Sequence, residues 1–116
     1  MSQSILIIDD VKDAAHALAA LLELEGYSVT VTQTGRAGVS KAAEIRPDCI
    51  LVDLGLPDID GVEVCKLLRA NLALQQTQII AVTGDEDRRA ILESGFDEHV
   101  VKPVDIGELQ RIIGKA

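Results

Sequence analysis

The chain has 116 residues, 47% of them hydrophobic but only 2% aromatic, so a single domain with a core of aliphatic side chains is expected over residues 1–116. Eleven Lys and Arg against nineteen Asp and Glu leave a net charge of −8, which argues against direct nucleic-acid binding, since that needs clustered cations and aromatic stacking platforms. No apolar run approaches the ~20 residues needed to span a bilayer, so no membrane contact is expected.

Ile5–Ile8 is a continuous apolar run, suited to a strand buried on both faces of a parallel sheet. A helix is expected from about Asp13 to Glu25, with Ala14, Leu18, Leu21 and Leu22 on its apolar face and Gly26 as its stop. Ser28–Thr32 reads SVTVT and alternates, as a half-exposed strand nearer an edge does. Thr34 can cap a second helix that ends before Pro47. The run Ile50–Val52 gives a third strand, and Asp60 with Glu63 has capping-box spacing for the helix that follows. Pro57 and Gly61 supply the intervening turn. Ile79–Val82 gives a fourth strand, and a helix is expected over Glu86–Ser94, stopping at Gly95. Val100 and Val101 form a short fifth strand. Asp105 and Glu108 repeat the capping spacing ahead of the stripe Leu109, Ile112, Ile113.

Five successive βα units predict an α/β fold, a doubly wound parallel sheet with helices on both faces and right-handed crossovers. Runs one, three and four have central character, while two and five look peripheral, in agreement with the flavodoxin-like order 2-1-3-4-5. The cysteines, Cys49 and Cys65, lack metal-binding spacing and read as buried free thiols of a cytoplasmic protein. The opening MSQSILIIDD has no secretion-signal pattern.

In such sheets the ligand site lies beyond the carboxyl ends of the strands, where the strand order reverses. Those ends carry Asp9–Asp10, Asp53, Thr83–Gly84 and Lys102–Pro103. Two carboxylates about 4 Å apart repel by about 4 kcal/mol at an effective dielectric of about 20, so three together call for a cation or a shared proton. Oxygen donors without His or Cys favour a hard ion, Mg²⁺ first, with Mn²⁺ as the alternative. Lys102 adds a point charge for a phosphoryl group, Thr83 a hydroxyl, and Gly84 an approachable backbone N–H. A carboxylate nucleophile, a metal, a cation and hydrogen-bond donors are the requirements of phosphoryl transfer to an aspartate.

With LIIDD, DLGLPDIDG, AVTG and VVKP in this order and spacing, the chain resembles a response-regulator receiver domain of two-component signalling along its whole length. The resemblance implies that Asp53 accepts the phosphoryl group and that Lys102 contacts it. It also implies that Asp10, Asp53 and the backbone carbonyl of Gly55 ligate Mg²⁺, with Asp9 acting through water. Thr83 would reorient on phosphorylation, and the Lys102–Pro103 bond would be cis. The donor would be a histidine kinase or a histidine phosphotransfer protein, with the output partner unspecified.

Two positions depart from the family. His99 stands where Tyr or Phe is frequent three residues before the Lys, and Val104 replaces a frequent Phe. His99 is thus either a switch element or an exposed edge-strand residue, whereas His16 reads as a surface residue. LGLP with GFDEHVVKPVD is most similar to receivers of hybrid histidine kinases, so a stand-alone receiver and an excised one are both expected forms. An aspartate-nucleophile phosphatase of the haloacid-dehalogenase type would need a second Asp where Gly55 stands, so turnover of an external substrate is not expected. A flavodoxin would not place Asp9–Asp10 in its phosphate loop. A receiver fold that works as an interaction module without phosphorylation is the remaining alternative.

Overall fold

The computed structural model describes residues 3–84 and 88–114. Its strands are β1 (Ser4–Ile8), β2 (Ser28–Thr32), β3 (Cys49–Asp53), β4 (Gln78–Thr83) and β5 (Glu98–Val101). The helices are α1 (Lys12–Leu24), α2 (Gly35–Ile45), α3 (Gly61–Arg69), α4 (Arg88–Glu93) and α5 (Ile106–Gly114). A 3₁₀ turn at Leu72–Leu74 had no counterpart in the sequence reading. The expected helix start at Glu86 lies outside the described residues.

All neighbouring strands pair in parallel, in the order β2-β1-β3-β4-β5. Side chains alternate across a strand, so each continuous apolar run serves two cores. Leu6, Ile8, Ile50, Val52, Ile79 and Ala81 pack on the side of α2 and α3. Ile5, Ile7, Cys49, Leu51, Ile80 and Val82 pack on the side of α1 and α5. The strands outrun the apolar runs that announce them, because pairing is a backbone property and continues through polar ends. Asp53 pairs with Val82 and Thr83 with Val101, which places both on the last rungs of the sheet.

Three expected caps form. Thr34 Oγ1 accepts Ala37 N–H at 3.1 Å. Asp60 Oδ1 accepts Val62 and Glu63 N–H at 2.7 and 3.2 Å, and Asp105 Oδ1 accepts Gly107 and Glu108 N–H at 2.8 and 3.2 Å. Gly26 and Gly95 follow α1 and α4 with φ of 99° and 109°, a left-handed backbone that costs glycine little.

The apolar face of α1 is a correction. Ala15, Ala19 and Leu22 are its buried residues, while Ala14 and Leu21 are exposed and Leu18 is half-buried. The helix is rotated about one residue from the expected stripe: Leu22 stays buried and Leu18 packs against the core, while the small Ala15 and Ala19 take the inner positions in place of Ala14 and Leu21. In α5 the stripe holds, with Leu109 and Ile113 buried and Ile112 packed against them.

At the amino end of the sheet, Arg69 closes α3 by donating to Thr77 O at 2.9 Å, Gly95 O at 3.2 Å and Asp97 Oδ2 at 2.5 Å. Cys49 and Cys65 are free and buried. Loss of solvation pushes their thiols up to about 12 and about 11. Among the described residues no helix is long and apolar enough to cross a membrane.

Candidate functional site

The carboxyl ends of β1, β3, β4 and β5 meet in one cleft lined by Asp10, Val11, Asp53, Leu54, Gly55, Thr83, Gly84 and Lys102. Just past the end of β1, Asp9 is buried and Asp10 exposed. Asp9 Oδ1 accepts Val11 N–H at 2.9 Å. It does not cap α1 directly, since Val11 is the N-cap and its side chain caps nothing.

Asp53 is 6% exposed, yet both its oxygens are engaged. Oδ1 accepts Gly55 N–H at 2.9 Å and Oδ2 accepts Lys102 Nζ at 3.1 Å. A buried charge needs such partners, and Lys102 supplies the cationic one from a half-exposed position 49 residues along the chain. Thr83 is buried beside them, and its carbonyl accepts Lys102 N–H at 2.7 Å. The Lys102–Pro103 bond is cis, as the resemblance implies. Among the described residues, nothing stands within 4 Å of the space a Gly84 side chain would take.

One oxygen from each of Asp9, Asp10 and Asp53 lies within 4.8 Å of the others. Burial raises the Asp9 carboxyl above the ordinary carboxylate value, and the neighbouring Asp53 adds to the rise, while the Val11 N–H and Lys102 oppose it. An all-oxygen cluster already short of positive charge fits a hard divalent ion. The sequence-derived site residues therefore converge, with His99 the exception. Its side chain is 10% exposed, against the exposed-edge alternative, and Nδ1 has no hydrogen-bond partner among the described residues. It lies instead along a groove toward α5, with Glu98, Val101, Pro103, Asp105, Glu108 and Ile112. His16 is exposed, as expected.

Residues 5–114 match the sequence profile of the response regulator receiver domain. The chain belongs to that family. This receiver is 38% identical over 109 residues to the DNA-binding response regulator MtrA of Mycolicibacterium smegmatis, covering 94% of this chain and 48% of that protein. It is 41% identical over 108 residues to the response regulator ArlR of Staphylococcus saprophyticus, covering 90% and 48%. The chain thus spans about half the length of these curated relatives. Among solved structures it superposes on the receiver domain of a sensor histidine kinase from Pseudomonas aeruginosa, with a TM-score of 0.90, 32% identity and coverage of 99% and 97%. That protein was solved with a magnesium ion coordinated in its active site cleft. A receiver domain of a histidine kinase from Syntrophus aciditrophicus matches with a TM-score of 0.87, 30% identity and coverage of 98% and 89%.

One residue with a structural tie to the receiver's site had escaped the sequence reading. Asp58, in the loop after β3, bonds to the start of α2 rather than to its own helix. The available signal was a count of donors. An α-helix opens with N–H groups that its own turns leave unpaired, and Thr34 alone cannot satisfy those of α2.

Proposed function

We propose that residues 1–116 form one receiver domain that takes a phosphoryl group onto Asp53 from a phosphohistidine, carried by a histidine kinase or a histidine phosphotransfer protein. The observation that carries this reading is the Lys102 Nζ at 3.1 Å from the buried Asp53 carboxylate, beside the acidic pair Asp9–Asp10. A carboxylate oxygen of Asp53 attacks phosphorus in line. As the new O–P bond forms, the P–N bond to the donor imidazole breaks and the ring leaves with its electron pair. Lys102 then follows the phosphoryl oxygens, while the Gly55 N–H keeps the carboxylate oriented. Asp10, Asp53 and the Gly55 carbonyl would hold Mg²⁺, with Asp9 reaching it through water and Mn²⁺ as an alternative. The bound ion supplies charge neutralisation for the phosphoryl oxygens.

A protein donor suits the surroundings. An apolar crevice of about 380 Å³ opens between α1 and the segment after β5, lined in part by Val11, Ala14, Leu18, Leu21, Pro103 and Val104, and its lining reaches Asp53 and Lys102. Val11 and Leu21 are 49% and 47% exposed there, so a donor seated on them covers apolar surface while it presents its histidine. The acyl phosphate then shifts a conformational equilibrium, with the Thr83 hydroxyl drawn to the phosphoryl group and His99 responding. The change is read by a partner or an attached domain. The net charge of −8 favours a receiver that does not itself touch DNA, even when its relatives are DNA-binding regulators. The absence of a second carboxylate at Gly55 supports self-phosphorylation and hydrolysis without turnover of external esters. A cytoplasmic location and kinship to hybrid-kinase receivers complete the reading.

The test is incubation with a phosphodonor and Mg²⁺ followed by intact mass. The wild type should gain one phosphoryl group, Asp53→Asn none, and Asp60→Asn the same as wild type. An acid-stable phosphate persisting in Asp53→Asn would refute the assignment, and no gain in wild type would favour the phosphorylation-independent interaction module.

A further inference from the structure

The loop between β3 and α3 follows Asp53 and carries Gly55, yet it is fastened at its far end to a helix it does not lead into. Asp58 Oδ1 accepts Gly35 N–H at 2.8 Å, and its Oδ2 accepts Arg36 N–H at 2.9 Å. With Thr34 Oγ1 on Ala37 N–H and Thr34 O on Gly38 N–H, the whole first turn of α2 is satisfied, two of its donors by a residue from elsewhere in the chain. The carboxylate also meets the positive end of the helix dipole. The bonds from Arg36 and Gly35 hold its carboxyl below the ordinary range, Arg36 contributing most.

Beside it, Ile59 occupies the space that Gly35 leaves. A Cβ at position 35 would stand 2.5 Å from Ile59 Cγ1 and 2.8 Å from Val64 Cγ2. The loop is therefore pinned to α2 twice, by a carboxylate outside and an aliphatic side chain inside. Its other end is held by the Asp53 Oδ1 bond to Gly55 N–H and by Gly61 N–H on Leu54 O at 3.4 Å.

We propose that Asp58 is a positioning residue for the phosphoacceptor site: by tying this loop to the amino end of α2, it fixes where the Gly55 carbonyl stands relative to Asp9, Asp10 and Asp53, and so sets the affinity for Mg²⁺. The proposal rests on the metal-dependent phosphoacceptor reading above. Asp58 touches neither the ion nor the phosphoryl group. It acts as outer partners of metal ligands do, by removing the alternative positions a ligand would otherwise sample.

The test compares wild type with Asp58→Ala, Asp58→Asn and Thr34→Ala. Mg²⁺ is titrated while site amide shifts are followed, and Asp53 phosphorylation is read by intact mass. Thr34→Ala removes the other side-chain cap of the same helix end without touching the loop, and so reports what weakening α2 alone does. Asp58→Ala should lower Mg²⁺ affinity about tenfold, and Thr34→Ala should lower the melting temperature with Mg²⁺ affinity unchanged. Asp58→Asn keeps one oxygen to accept one N–H and should fall between Asp58→Ala and wild type, with the phosphoryl group still on Asp53. Equal Mg²⁺ affinity in Asp58→Ala and wild type, or an equal loss in Thr34→Ala, overturns the positioning role. A wild type that binds no Mg²⁺ overturns the functional reading, and this role with it.

Discussion

Neutralising Asp9 should make the metal-free protein more stable, although the substitution falls inside the site. The oxygens of Asp9, Asp10 and Asp53 lie within 4.8 Å of one another. At that distance two unit charges repel by about 3.5 kcal/mol for an effective dielectric of about 20, and by about 0.9 kcal/mol in bulk water. Asp9 and Asp53 are buried, which favours the larger figure for that pair. Lys102 at 3.1 Å from Asp53 cancels part of it, and the exposed Asp10 is screened. A net gain of about 1–3 kcal/mol follows for Asp9→Asn, or about 4–12 °C in melting temperature for a chain of this size. Asparagine keeps an oxygen for the Val11 N–H, so the change removes charge with little loss of geometry. Burial raises the Asp9 carboxyl above its ordinary 3.8, so between that value and the raised one the folded chain binds more protons than the unfolded. Metal-free stability should therefore fall as pH rises through that window, and Asp9→Asn should remove that slope. Thermal melts with a chelator and with saturating Mg²⁺ check both points, and Mg²⁺ should narrow the gap by stabilising the wild type more. If metal-free Asp9→Asn melts at or below wild type, the hydrogen bond from Val11 to a charged carboxylate outweighs the repulsion, and the argument for an electrostatically starved site fails.

The Thr83–His99 coupling is tested with a beryllofluoride mimic of the acyl phosphate. Thr83→Ala should still accept phosphate but transmit smaller amide-shift changes to α4 and β5, with His99→Ala affected less and His99→Tyr, whose ring is larger, showing larger changes than wild type. Identical shifts in all variants would exclude both residues from the switch. At the opposite end of the sheet, Arg69→Ala should lower stability by about 1–3 kcal/mol through lost charge-assisted bonds, and Arg69→Lys should not restore it, because one ammonium cannot span three acceptors. Phosphorylation of Asp53 should proceed at the wild-type rate in both Arg69 variants, and a slowed rate would show that the clamp and the site are coupled.

Chain-local signals carried much of this receiver. Apolar runs at Ile5–Ile8, Ile50–Val52 and Ile79–Val82 marked strands buried on both faces, and the alternation of SVTVT marked the edge. The polar residues just past those runs are the ones that meet in the cleft, because a parallel sheet gathers all its strand ends on one side. Caps at Thr34, Asp60 and Asp105 were legible for the same reason, since each binds N–H groups two or three residues away. Tertiary packing decided what no local pattern encodes. The face of α1 depends on how the helix packs on the sheet, with Ala15 and Ala19 taking the inner positions in place of Ala14 and Leu21. Asp58 has its partners 22 and 23 residues earlier, and Lys102 has its own 49 residues earlier. Those distances close only when the strands are stacked in the order β2-β1-β3-β4-β5. The division between buried Asp9 and exposed Asp10 likewise comes from the fold, since the two are neighbours of the same residue type in the chain and only the assembled sheet has an inside.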